Sequence, residues 1–155
     1  MRKKILFLCT QNSARSQMAE AIVNSKASDI FIGYSAGSSP AEKINPYAIE
    51  AMKEVGIDIS KHKTKSVLEF IGEDFDFIIT LCDKMKNECP SFSNDAIRVH
   101  WGISDPRDFN GNHEETIKYF KRVRNEISNR INLLLSLPME KLDKASLSEK
   151  IEGVI

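Results

Sequence analysis

Residues Ile5-Leu6-Phe7-Leu8 form a short apolar run that stops abruptly at Cys9-Thr10-Gln11-Asn12. A run that is apolar at every position, rather than at alternate ones, has the pattern of a strand buried on both faces. Strands of that kind belong to parallel sheets with helices packed on either side. The rest of the chain alternates to match. Helix is predicted from residue 16 to about 27, with Met18, Ala21, Ile22 and Ser25 near helical spacing, and strand over 30–35. Asn45-Pro46 has the form of a helix start, with Asn as cap and Pro at the first helical position, and Gly56 is a C′ stop. A short helix over 66–71, a nearly all-apolar strand over 75–81 and a short strand over 97–100 follow. From 113 to about 137, Ile117, Phe120, Val123, Ile127, Ile131 and Leu134 recur at three and four, which predicts a long amphipathic helix ending before Pro138. The expected fold is α/β: three layers, with a four-stranded parallel sheet and helices on both faces.

Composition narrows the function. The 155 residues suit one domain, with residues 1–137 as the body and 138–155 as a C-terminal extension carrying a weak helical pattern at Leu142, Leu147, Ile151 and Val154. Twenty-two basic and 22 acidic residues balance, so neither a nucleic acid nor an anionic membrane surface is an expected partner. Arg2-Lys3-Lys4 and the apolar run after it mimic a signal peptide, but the run is too short, and no stretch approaches a membrane span. The expected compartment is the reducing cytosol. Three cysteines, Cys9, Cys82 and Cys89, do not make a disulfide framework, and without a clustered Cys/His pattern no metal or other cofactor is expected.

The loop that follows the first strand carries the chemistry. Residues 9–16 read Cys-Thr-Gln-Asn-Ser-Ala-Arg-Ser between a buried strand and a helix. Consecutive backbone N–H groups in such a turn form an anion-binding concavity, and the helix adds its unpaired N–H groups and positive dipole end. Thr10, Gln11, Asn12, Ser13, Ala14, Arg15 and Ser16 are therefore the candidate anion-binding residues. Arg15 brings a planar fork suited to two oxygens of a tetrahedral anion. These features favour a thiolate at Cys9, the nucleophilic form of the side chain. Ser13 or Ser16 is placed to donate a hydroxyl to the sulfur, and Asn12 to brace the loop through its amide.

The segment from Cys9 to Glu20 resembles the signature of the low-molecular-weight tyrosine phosphatase fold, and most closely its thioredoxin-coupled arsenate reductases. The likeness extends over about residues 3–136, through Tyr34-Ser35-Ala36-Gly37, Asn45-Pro46-Tyr47-Ala48, Asp58-Ile59-Ser60, Thr80-Leu81-Cys82, Cys89-Pro90, His100-Trp101-Gly102 and Asp105-Pro106. It implies a cysteine relay. Cys9 attacks arsenic, Cys82 attacks Cys9 as arsenite departs, and Cys89 attacks Cys82, leaving a disulfide that thioredoxin reduces. It also implies that Asp105 protonates the leaving oxygen, with Asp108 as a nearby rival. A phosphatase requires Cys9 without Cys82 or Cys89, so a low-molecular-weight phosphatase working through a Cys9 phosphocysteine is the alternative. A non-catalytic anion-binding or redox-regulatory protein is a third reading, for which the nucleophile and the acid are both superfluous.

Details of the sequence refine these expectations. Tyrosine phosphatases of this fold carry aromatic residues after Asp-Pro. Here Arg107 and Asp108 follow, with Phe109 beyond, so a small free anion suits the loop better than a phosphotyrosyl ring. A further cysteine of related reductases is replaced by Ala14. Some relatives bind potassium through residues matching Asn12, Glu20, Ser35 and an aspartate. Lys65 stands at the last position, where its ammonium can substitute for a cation. His62 is expected at the surface, His100 near the active edge without assigned chemistry, and Trp101 in packing. Residues seven apart on a helix lie about 10.5 Å apart along its axis, beyond the roughly 7 Å Cα limit of a disulfide. The polar 83–88 segment must therefore loop or unwind for Cys82 to meet Cys89.

Overall fold

The computed structural model describes residues 2–88, 92, 96–106, 109–137 and 151. Its elements are β1 (Lys3–Cys9), α1 (Arg15–Lys26), β2 (Phe31–Gly37), α2 (Pro46–Glu54), a 3₁₀ turn (Val67–Phe70), β3 (Phe77–Thr80), α3 (Asp83–Glu88), β4 (Ile97–His100) and α4 (His113–Leu135). The four strands form one sheet in the order β2-β1-β3-β4, parallel at every pairing. Both faces of β1 are covered. Ile5 and Phe7 point one way, Leu6 and Leu8 the other, and all four are fully buried. Helix α1 packs on β1 and β2, while α4 packs against α1 and α2.

Local chemistry sets the element ends. Asn45 caps α2 by accepting from the Tyr47 amide, with Pro46 in the first turn. Gly56, at φ 79°, closes the helix, with its N–H on Lys53 O and the Ile57 N–H on Met52 O. Ser66 and Glu69 form a reciprocal capping box over the 3₁₀ turn. Asn112 caps α4, whose buried side is the predicted apolar set plus Arg124.

Some boundaries move. Strand β2 runs on to Gly37, and β3 begins at Phe77 instead of 75. In α1, Ala19 and Val23 are buried whereas Ser25 is exposed, because the inward face also includes the polar first turn Arg15-Ser16-Gln17. In the C-terminal extension the described residue, Ile151, is buried, and its carbonyl accepts from Trp101 Nε1 at 3.1 Å.

The chain runs outward from β1 to β2 and then returns to the other side of β1 for β3. The order reverses between β1 and β3, and in parallel sheets a cleft opens beyond the carboxyl ends at such a reversal. Cys9 ends β1, and Cys82 lies two residues beyond β3.

Candidate active site

The 9–16 loop is shaped from outside. The Thr10 carbonyl accepts from the Ser39 amide, Gln11 from Ala41 and Ser13 from Asn45, at 2.8 to 3.0 Å. These bonds engage three carbonyl oxygens of the loop. Gly37 makes the close approach possible. A Cβ there would stand 2.5 Å from the Thr10 carbonyl oxygen and 2.8 Å from that of Cys9. Asn12 takes a left-handed conformation, φ 51°, which asparagine tolerates better than most residues. Its amide donates to Ser16 Oγ at 2.7 Å, and its side-chain oxygen accepts from the Lys65 amide and from Gln17 Nε2, both at 2.9 Å.

Cys9 is 3% exposed, and its sulfur lies 2.9 Å from Ser16 Oγ. Ser13 is also buried but makes its contact through its backbone. The first turn of α1 has no side-chain cap: Ala14 stands at the capping position, in contrast with Asn45 and Asn112 on the other helices. Arg15 is buried. Nη1 donates to the Ile103 carbonyl at 2.9 Å, and Nη2 lies 3.2 Å from Asp105 Oδ2. Two of its five N–H groups serve these contacts, which tie the nucleophile loop to the 101–106 loop.

Cys82 is 8% exposed, and its sulfur is 3.3 Å from Thr10 Oγ1. A second thiol thus stands against the residue next to the nucleophile. Thr10, Arg15, Cys82 and Asp105 all line one pocket of about 570 Å³, whose other walls are Asp83, Lys84 and the 102–104 backbone segment, with no aromatic ring among its described lining residues. Phe109 instead stacks on Tyr119, ring centroids 4.7 Å apart. Cys89, Arg107 and Asp108 lie outside the described residues.

Behind the loop is a polar network. Ser35 donates to Glu20 Oε1 at 3.0 Å, and Lys65 Nζ lies 3.5 Å from the same oxygen and donates to the Lys63 carbonyl. The donor set does not fit a bound potassium ion, because an ammonium already neutralises Glu20. His62 stands at the surface, as expected, yet also reaches inward. Its Nδ1 lies 3.2 Å from Gln17 Oε1 and 3.5 Å from Glu20 Oε2, and the ring is only about one-third exposed (32%). Gln17 was not foreseen as a site residue. Its amide bonds Asn12 and the carbonyl of Lys63, 46 residues away, a connection that no local pattern encodes.

Among the described residues no group of three or more His, Cys, Asp and Glu is arranged to hold a metal, and no helix is long and apolar enough to cross a membrane. Residues 4–149 match the model of the low molecular weight phosphotyrosine protein phosphatase family. An arsenate reductase of Halalkalibacterium halodurans is 43% identical over 132 residues, 84% of this chain and 94% of the relative. An arsenate reductase solved in its phosphate-binding state superposes with a TM-score of 0.68 at 29% identity, covering 86% of this chain and 97% of that one. The thioredoxin-dependent arsenate reductase of Corynebacterium glutamicum superposes at 0.57 with 27% identity, over 85% of this chain and 63% of that one.

Proposed function

The chain belongs to the low molecular weight phosphotyrosine protein phosphatase family, and on that premise we propose that it reduces arsenate to arsenite in the cytoplasm through Cys9, Cys82 and Cys89, recycled by thioredoxin or a similar dithiol protein. One observation carries this reading: the Cys82 sulfur hydrogen-bonded to Thr10, at the mouth of the nucleophile loop. Hydrolysis needs no second thiol there. Thiol–disulfide exchange does.

The oxyanion sits against the inward amides of residues 10–16 and the guanidinium of Arg15. The Cys9 thiolate, with Ser16 Oγ at 2.9 Å, forms a bond to arsenic, and one arsenic–oxygen bond breaks. The leaving oxygen takes up protons and departs as water. Asp105 is the donor within reach. It lies 3.2 Å from Arg15 Nη2, beside the guanidinium that receives the anion, and passes its proton to the departing oxygen. The Cys82 thiolate then attacks the Cys9 sulfur. A sulfur–sulfur bond forms, the sulfur–arsenic bond breaks, and its electron pair stays with arsenic, which leaves as arsenite. Two thiols have supplied the two electrons. Cys89 next attacks Cys82, regenerates Cys9, and leaves a disulfide for the external dithiol.

The relatives support the oxyanion and the reductant: one solved arsenate reductase is in a phosphate-binding state and another is described as thioredoxin-dependent. The absence of an aromatic ring from the described pocket lining favours a free anion over a phosphotyrosyl group. The test is arsenite production by the purified protein with thioredoxin, thioredoxin reductase and NADPH, run beside hydrolysis of p-nitrophenyl phosphate. Sustained arsenite release that Cys89→Ser reduces to a single turnover is expected. Multiple turnover unchanged in Cys89→Ser would sink the relay. Phosphate-ester hydrolysis without arsenite would make the chain a phosphatase.

A further inference from the structure

His100 ends β4, and its ring joins two other elements. Nδ1 is 2.8 Å from Thr80 Oγ1, and Nε2 is 3.0 Å from Asp83 Oδ1. Thr80 is the buried last residue of β3, and Asp83 is the first residue of α3, immediately after Cys82. A neutral ring with its proton on Nε2 satisfies both contacts, accepting from the Thr80 hydroxyl and donating to the carboxylate. Asp83 is 94% exposed, so water alone would solvate it. The contact therefore matters for where it holds the backbone. Gly102 lies alongside: a Cβ there would be 3.5 Å from His100 Nε2 and 3.7 Å from Asp83 Oδ1.

Helix α3 needs such a tether. With six residues it is too short to hold itself. Its other described anchor to the body is the buried Met85, the 3.3 Å bond from the Lys86 amide to the Cys82 carbonyl being the helix's own first turn. Because Cys82 precedes the tethered residue directly, the direction of its side chain depends on where α3 begins.

We propose that His100 is a positioning residue for the second thiol: through Asp83 it fixes the start of α3, keeping the Cys82 sulfur beside Thr10 and aligned for attack on Cys9. This rests on the proposed relay and adds a residue that the relay does not itself require. His100 touches neither the anion nor a reacting sulfur, so its loss should slow the second step without weakening anion binding.

The experiment is a single turnover. Fully reduced protein is mixed with arsenate in the absence of any external dithiol, and disulfide formation is followed by rapid quenching with a thiol reagent. Phosphate affinity is measured separately, from protection of Cys9 against iodoacetate. His100→Phe should slow disulfide formation about fivefold, the size of effect expected from losing one hydrogen bond, with phosphate protection unchanged. His100→Gln, whose amide still donates toward Asp83, should recover most of the rate. Asp83→Ala alters an exposed side chain, so it gives a result even if His100→Phe fails to fold. It should reproduce the slowing, and combining it with His100→Phe should add nothing. Wild-type rates in both single variants, or phosphate protection that weakens in step with the rate, would overturn the proposal. Cys82→Ser separates the two layers of argument. Arsenite release at the wild-type rate in that variant would remove the relay, and this proposal with it, whereas a silent Cys82→Ser beside an insensitive His100→Phe would remove the tether alone.

Discussion

The two described cysteines stand in different kinds of structure. Cys9 ends one of the two inner strands of the sheet and enters a loop whose carbonyls, side chains and one left-handed residue are tied to the 39–45 segment, α1 and the 63–65 segment. Cys82 precedes a six-residue helix whose described fastenings are the buried Met85 and the Asp83 tether, with the Cys82 sulfur itself against Thr10. The difference matches what each thiol is asked to do. A nucleophile that stabilises developing charge gains from a cradle that does not rearrange during the reaction. In the proposed relay Cys82 meets first Cys9 and then Cys89, which requires it to move, and segments with few buried contacts open at little cost.

The largest expected effect separates the thiols by chemistry. Cys9→Ser should abolish both arsenate reduction and hydrolysis of p-nitrophenyl phosphate, whereas Cys82→Ser should abolish reduction alone, measured side by side on the same preparations. Asp105→Asn comes next. A loss of about 10²–10⁴ in the first step is expected for a missing general acid, and near-wild-type single-turnover rates would move the role elsewhere. The rigidity half of the comparison is tested by Asn12→Ala, which deletes three side-chain hydrogen bonds in a buried loop. It should cost about 2–4 kcal/mol in urea unfolding and weaken phosphate protection of Cys9. Hydrogen exchange sharpens the contrast without mutation: the Lys86 amide in α3 should exchange well before the Gly37 and Leu81 amides that flank the nucleophile strand. The smallest effect lies far from both thiols. Hydrogen bonds from Lys121 and then Arg124 hold the Glu54 carboxyl below its ordinary range. A lowered carboxylate stabilises the fold at neutral pH, and that contribution is lost as pH falls through its folded value. The melting-temperature gap between wild type and Glu54→Gln should therefore be small at pH 7 and narrower still at pH 3.

Much of this was legible beforehand, for identifiable reasons. The all-apolar runs marked β1 and β3 because a strand buried on both faces has no polar alternation to confuse it, and the three-and-four spacing marked α4 for nearly its whole length. Asn45-Pro46 and Gly56 fixed the ends of α2 through backbone chemistry that is local by nature. The contacts of Cys9 and Asn12 with Ser16 were legible because they lie close in sequence, whereas the loop's ties to Ser39, Ala41, Lys65 and Ile103 were not. Gln17, His62 and His100 were not, since each acquires its role from partners in distant segments of the chain. The reading of 83–88 as polar gave no sign that Met85 is buried, because one buried residue in a six-residue helix leaves no periodic trace.

The reversal of strand order carries a consequence for how such enzymes diverge. The 9–16 loop and the segments that brace its outer side come from the chain before residue 66, while Cys82 and the partners of Arg15, Ile103 and Asp105, all arrive after the chain leaves the sheet at Thr80. The loop and the residues set against it therefore come from separate stretches of chain that meet at one edge of the sheet. In such a layout the 81–96 stretch can vary without touching the contacts that brace the loop's outer side.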